Sequence, residues 1–395
     1  MRLELAVAAV PSGELFPTDS PLAPAELIGR DDAVAALATQ LGAHTHRIVA
    51  GPRRTGKTSV CAAAVERLRR DGAYVVAVDL FEQATLGEFA EAVAHELVGN
   101  RPAVRRALER LRRGGCTLAE AGATSVSARL AGELGEEVEI TWRPGLAERD
   151  PDRYFDWALR ALNKVAAADD RQVIFFVDEF QELARDRRPY GDPDVITKRM
   201  RAVLQRSARV TCLFAGSLEH LMRDLFTPRQ RAFYRFGGFF PLPPIAPQDW
   251  MDGLRARFVA GGCTVDDEAL GELVALGEGH PRATMLIAQQ THAATLAGRT
   301  GRVDLGRVRH GLALAMAADA AGLDGDVERI RSLGKNALSL ARLVARGERP
   351  YGASDAPAAA VGRTLDALRD AGYLEHRQWG DWRVIDPLLR RRLTR

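Results

Sequence analysis

Short apolar runs alternate with longer amphipathic stretches from residue 46 to residue 217. "HRIVAG" (46–51), "YVVAVDL" (74–80), "RQVIFFVDEF" (171–180) and "RVTCLFAGS" (209–217) are short and rich in β-branched or aromatic residues, which predicts strands. Val173 to Val177 is unbroken apolar sequence, as a parallel strand covered on both faces requires. "FGGFFPLPPI" (236–245) is expected to supply a last strand. Helical periodicity marks 26–41, where Asp31 and Asp32 suit a first turn, and "KTSVCAAAVERLRRDG" (57–72), where Gly72 is a stop. It also marks 86–98, 152–168 and 194–206. Such alternation predicts an α/β fold, a three-layer core with a parallel sheet. Residues 1–26, rich in Pro and small side chains, read as a leader beginning with a short strand or arm. Residues 99–150 read as an insertion of unassigned role, in which "SVSARLAGELGEEVEITW" alternates as a hairpin does.

From 247 to 327 the pattern is helical throughout, predicting a helical lid. Beyond 328, two or three helices precede "YLEHRQ" and "DWRVID", joined across Trp379 and Gly380. That order predicts a winged helix whose wing is the final hairpin. The chain is thus divided into a leader (1–26), a core (27–246), a lid (247–327) and a winged-helix domain (328–395).

Composition narrows the classes. A hydrophobic content of 46% and a charged content of 27% are those of a soluble globular protein. A formal charge of +3 over 395 residues does not by itself demand a polyanion partner. No apolar run approaches the roughly 20 residues needed to span a bilayer, and Glu4 interrupts the N-terminal apolar stretch. No membrane association and a cytoplasmic location are expected. Cys61, Cys116, Cys212 and Cys263 are scattered without a C-x-x-C pair, as reduced buried thiols are. The histidines have no metal-binding spacing, and "HTH" (44–46) reads as a surface loop. "RPAVRRALERLRRGG" (101–115) is basic; a solvated helix face is the simpler reading, nucleic-acid contact the alternative.

Of 55 Lys and Arg residues only four are lysines, Lys57, Lys164, Lys198 and Lys335, leaving 51 arginines. Lys57 lies in "GPRRTGKTS" (51–59), which fits G-x-x-x-x-G-K-[ST] with Gly51, Gly56, Lys57 and Thr58 in the fixed places. Backbone N–H groups of such a loop (Gly51, Pro52, Arg53, Arg54, Thr55, Gly56, then Lys57, Thr58 and Ser59) curl around phosphate, all but Pro52 able to donate. The following helix adds its positive dipole end. A slender ammonium stem reaches between phosphates where a wide planar guanidinium does not. The Thr58 hydroxyl is placed to bind Mg²⁺.

"VIFFVDEFQEL" (173–183) carries the second signal. Asp178 would sit at the C-terminal end of a parallel strand, the edge where ligands bind, and there can hold a Mg²⁺ shell. Glu179 is positioned to polarise an attacking water, with Glu182 the next candidate.

Together with "LIGRDDAVAAL", "LFAGS", "GEGHPRA" and the terminal winged helix, these motifs resemble the STAND branch of AAA+-type ATPases, and within it the prokaryotic group called archaeal-type ATPases. The resemblance covers about residues 26–395. It implies ATP or ADP with Mg²⁺ as cofactors, Ile28, Gly29 and Arg30 beside the adenine, Ser217 as the sensor near the γ-phosphate, and Pro281 touching the nucleotide from the lid. Arg282 is a weak sensor candidate. Many eukaryotic relatives place an arginine at the strand-end sensor position where this chain has "AGS", so a γ-phosphate arginine would come from elsewhere: Arg206 and Arg209 are candidates for a finger in trans, and Arg235 is another candidate.

The leading functional expectation is a slow, regulatory ATP-hydrolysing switch acting through a protein partner or its own assembly. The alternative is an ATP-gated DNA-binding protein of the initiator or transposition-helper kind, with Arg363, Arg369 and "LLRRRLTR" (388–395) against nucleic acid. A nucleotide-binding scaffold that hydrolyses little is disfavoured by Glu179.

Overall fold

The computed structural model describes residues 11–18, 21–100, 126–131, 137–142, 146–185, 190–353, 356–376 and 381–395. The chain divides into two compact units. One comprises residues 32–51 and 57–242; the other comprises 1–31, 52–56 and 243–395.

The first unit is built on five parallel strands: β1 (Arg47–Ala50), β2 (Tyr74–Asp79), β5 (Val173–Asp178), β6 (Val210–Gly216) and β7 (Gly238–Phe239). Their order is β2-β5-β6-β1-β7. The expected last strand is thus two residues long, paired only to β1. Alternation along β5 creates the layers. Ile174 and Phe176 face a cluster with Leu37 and Leu41 of α1 (Asp31–Gly42) and Val60, Ala64 and Leu68 of α2 (Lys57–Arg70). Val173, Phe175 and Val177 face the opposite cluster, with Phe89 and Val93 of α3 (Leu86–Gly99) and Phe155 and Leu159 of α4 (Pro151–Ala168). Every residue of β5 and β6 is buried, as the unbroken apolar runs require. This is the three-layer core of a P-loop NTPase.

Within the expected insertion, β3 (Val126–Ala131) and β4 (Glu137–Trp142) form an antiparallel pair, Val126 opposite Trp142. The basic run 101–115, Cys116 and the Trp379-Gly380 turn lie outside the described residues. Cys61, Cys212 and Cys263 are buried free thiols. Of the "HTH" stretch, His44 is exposed, but His46 stacks on Phe236 at 4.5 Å and accepts from the Cys212 N–H. It is a packing residue rather than loop surface.

The second unit has one continuous apolar core. It gathers α5 (Pro247–Ala260), α6 (Asp267–Gly277), α7 (Pro281–Ala297), α8 (Leu305–Ala318) and α9 (Ala320–Ser332), then α10 (Ala337–Ala345) and α11 (Ala358–Asp370). A short antiparallel pair, β10 (Leu374–His376) with β11 (Trp382–Val384), precedes a last helix, α12 (Pro387–Thr394). Two-residue strands at 264–265 (β8) and 302–303 (β9) pair in parallel. The leader is part of this unit: Ser12–Leu15 forms one helical turn, and Phe16, fully buried, meets Phe258 at 5.0 Å and His292 at 5.7 Å. The expected strand or arm at the start of the leader falls mostly on residues 1–10, which lie outside the described residues. Among the described residues no helix is long and apolar enough to cross a membrane.

Candidate nucleotide site

In the first unit, chemistry-bearing residues gather at the C-terminal edge of the sheet. β1 delivers Gly51, and α2 begins at Lys57, so Lys57, Thr58 and Ser59 are its first turn. Lys57 is buried and its charge reaches Asp178. Asp178 ends β5; its carboxylate accepts from the Thr58 hydroxyl and, at 2.9 Å, from the Glu179 N–H. Burial pushes the Asp178 carboxyl above its ordinary range, and Glu179 adds to that. The Thr58 and backbone hydrogen bonds and Lys57 work against it.

Glu179 turns the chain. It adopts the left-handed region, φ 48° and ψ 39°, which is uncommon for a residue with a side chain. Its carboxylate accepts from the Ser217 hydroxyl at 2.8 Å and from the Gln181 amide. Ser217, which follows β6, is buried. Asp178, Glu179 and Ser217 are therefore together; the Glu182 N–H donates to the Glu179 carbonyl at 2.9 Å, while the Glu182 carboxylate pairs with Arg185 at 2.9 Å.

Two neighbours escaped the sequence reading. Asp79 ends β2 directly opposite Asp178, and burial with nearby Asp178, Glu179 and Glu82 raises its carboxyl to about 6. The parallel endings "VAVD" and "FFVD" were the available signal. Gln181, fully buried, binds both Glu179 and Ser217; nothing in its spacing announces that.

The donor set suits Mg²⁺. One carboxylate and one hydroxyl, hydrogen-bonded to each other, leave the remaining positions to water and phosphate, the usual composition of a Mg²⁺ site on a nucleotide. Among the described residues no group of three His, Cys, Asp or Glu side chains could hold a metal by itself.

In the second unit, the loop tip Pro52–Gly56 has partners of its own. Gly56 has φ 84°, a conformation that favours glycine, and the Thr55 hydroxyl donates to the Pro52 carbonyl at 2.9 Å. Arg30 is buried and donates to the Pro243 and Thr55 carbonyls. Ile28 packs in the unit's core, where a Cβ on Gly253 would meet it at 2.8 Å. Gly29 lies against Asp249 and Ile245. "GEGHPR" forms a sharp corner: Glu278 ends α6 in the left-handed region, His280 caps α7, and Pro281 is its first residue. Buried His280 is hydrogen-bonded to the Arg53 backbone. Its imidazole is held below its usual range by desolvation, opposed by Asp386. Arg54 lies 3.8 Å from Asp386.

Arg282, the weak sensor candidate, is engaged: both its terminal nitrogens donate to Asp319 at 2.8 Å. Of the finger candidates, Arg209 pairs with Asp170 at 2.6 Å, Arg235 lies over the Tyr234 ring, and Arg206 is exposed.

Residues 26–189 match the AAA ATPase domain family. No curated protein matches the chain. Among solved structures, a Walker-type ATPase of Pyrococcus abyssi superposes with a TM-score of 0.69 at 17% identity, covering 96% of this chain and 100% of that one. The ORC2 protein of Aeropyrum pernix, solved as ADPNP–ADP complexes, gives 0.59 at 16% identity over 96% and 95%. Its ADP form gives 0.54 at 14% over 97% and 99%. The chain has the P-loop ATPase fold, with an AAA ATPase domain matched over residues 26–189.

Proposed function

We propose that this protein is an ATP-binding and ATP-hydrolysing switch of the STAND type, cytoplasmic, slow, and read out through a partner or its own assembly. Phosphates would lie on the backbone N–H groups of the loop and on Lys57. Thr58 and Asp178 would hold Mg²⁺, which neutralises phosphate charge when bound. Glu179 would accept a proton from the attacking water. The water oxygen forms a bond to the γ-phosphorus, the bond to the bridging oxygen breaks, and ADP and phosphate leave. Ser217 hydrogen-bonds to the base. The roles of Ile28, Gly29, Arg30 and Pro281 beside the nucleotide rest on the family resemblance.

One observation supports the switch reading: within the second unit, the tip of the phosphate loop is bound to the caps of two helices and to Arg30. Arg53 is tied to His280, Arg54 to Asp386 and Thr55 to Arg30. A ligand shifts a conformational equilibrium only through different interactions with its two states. A loop that would hold phosphate and whose tip also binds the caps of α7 and α12 supplies such a difference. Two measurements test this. Lys57→Ala should abolish ATPase activity in a protein that melts as the wild type does. The hydrodynamic size or domain arrangement should differ between ADP and a non-hydrolysable ATP analogue. Unchanged turnover in Lys57→Ala overturns the site; identical behaviour with both nucleotides overturns the switch.

The alternative, an ATP-gated DNA-binding protein using the C-terminal region as a winged helix, draws on Arg363, Arg369 and the arginine-rich end of the chain. Charge pairing favours the first reading. Arg369 is paired with Asp366 and Asp370, Arg390 and Arg383 with Glu278, and Arg392 with Asp324. Arg391 donates to the Leu276 carbonyl. Basic side chains spent on neighbouring acids have less to offer phosphates. Adding DNA to the sizing experiment separates the two.

A further inference from the structure

We infer that Gln181 is a positioning residue for hydrolysis, holding Glu179 so that a single carboxylate oxygen is presented to water. This rests on the ATPase reading above. Gln181 is fully buried in the short helical turn Phe180–Ala184, two residues beyond the base. Its amide oxygen accepts the Ser217 N–H at 3.1 Å. Its amide nitrogen donates to Glu179 Oε2 and approaches the Ser217 hydroxyl at 3.3 Å. The orientation of the amide is chemically forced. Reversed, its NH₂ would face a backbone N–H, and its oxygen would face a carboxylate.

Ser217 Oγ also donates to Glu179 Oε2, at 2.8 Å. Two donors converge on one oxygen, so Oε1 is the oxygen left to take the proton. Glu179 has a left-handed backbone and a long side chain, with many rotamers to lose. Two convergent donors remove that freedom before water arrives.

Gly216 makes the arrangement fit. A Cβ there would meet Gln181 Oε1 at 2.5 Å and the Met222 sulfur at 2.5 Å. The "AGS" ending of β6 thus reads as space for an amide followed by a hydroxyl, both serving Glu179. Gln181 touches neither phosphate nor water in this scheme; it acts through Glu179.

The test is a kinetic cycle. Gln181→Met preserves length and packing but removes the amide's hydrogen bonds to Glu179 and Ser217. Single-turnover hydrolysis should fall by roughly 10–10²-fold, the scale of a misplaced catalytic group, while ATP affinity changes by less than about twofold, the mark of an interaction that matters beyond the ground state. In a Glu179→Gln background the same substitution should cost little further rate, because the residue it positions no longer acts as base. Additive losses would mean a merely structural role and overturn the inference. Gln181→Glu is the second variant, for the case that Gln181→Met does not fold. It keeps an acceptor for the Ser217 N–H but sets an acceptor against Glu179, so the rate should again fall with binding retained. Wild-type turnover in either folded variant overturns the inference alone, whereas a wild-type protein that hydrolyses no ATP overturns the ATPase reading and this inference with it.

Discussion

Arg54, at the tip of the phosphate loop, lies 3.8 Å from the carboxylate of Asp386, the cap of the last helix. Asp386 has two jobs. Its Oδ1 accepts the Leu388 and Leu389 N–H groups at 2.8 and 3.3 Å, while Oδ2 faces the guanidinium. Asp386→Asn separates them, since Asn caps about as well as Asp but carries no charge. Arg54 is half exposed, so the pair contributes about 1 kcal/mol or less. The melting temperature should barely move. If the pair opposes opening of the loop, release of a fluorescent ADP analogue should quicken by up to about fivefold, the kinetic equivalent of that energy. Stopped-flow displacement reads this directly, and an unchanged release rate would remove Arg54–Asp386 from the switch.

Phe16 gives the leader a structural role. It is fully buried between Phe258 and His292, and its carbonyl accepts from Gln289 at 3.1 Å. Phe16→Ala should destabilise the C-terminal unit by about 3–5 kcal/mol. Hydrogen exchange should show lost protection in 247–297, with β5 and β6 unaffected. Uniform loss across both units would contradict the assignment of the leader to one of them.

Asp79 predicts a pH effect in the metal-free, nucleotide-free protein. Its folded carboxyl titrates near 6 against an ordinary 3.8, so the folded state holds the proton more tightly than the unfolded chain. Folding is therefore penalised as pH rises from about 4 through 6, and the full penalty persists above 6. Asp79→Asn keeps an acceptor for the Phe81 N–H, which Asp79 binds at 2.8 Å, and removes the charge. The variant should melt higher than the wild type at pH 8 and nearly equal to it at pH 4. Thermal melts across that range check the sign; an advantage confined to low pH would refute it.

What was legible in the sequence follows from the physics of each feature. β5 and β6 are buried on both faces, and continuous apolar runs are the direct record of that. The phosphate loop is legible because its pattern is local, eight consecutive residues from Gly51 to Thr58. Gln181 was not legible, because its partners Glu179 and Ser217 converge only when β5 and β6 lie side by side. His46 and Phe16 were missed for a related reason: each packs against residues distant in sequence, Phe236 and Phe258, and a lone aromatic carries no period. β7 was overestimated because "FGGFFPLPPI" is apolar enough for a strand, but its prolines lack the N–H a ladder needs.

Asp178 and Glu179 are neighbours with different partners, and the roles proposed for them can be separated on that basis. Asp178 lies with Thr58 and within reach of the Lys57 charge, whereas Glu179 lies with Ser217 and Gln181. The left-handed turn at Glu179 parts the two carboxylates while keeping both at the sheet's edge. Asp178→Ala removes the carboxylate bonded to Thr58, so it should abolish the Mg²⁺ dependence of ATP binding as well as turnover. Glu179→Gln leaves that pair intact. Its amide can still accept from Ser217, but it cannot take a proton. ATP should bind with wild-type affinity while single-turnover hydrolysis falls by roughly 10²–10⁴-fold. Titrating ATP with and without Mg²⁺ against both variants, with hydrolysis measured in the same preparations, distinguishes the two roles. If Glu179→Gln hydrolyses ATP at the wild-type rate, the base lies elsewhere. If Asp178→Ala retains Mg²⁺-dependent binding, Asp178 is not a metal ligand.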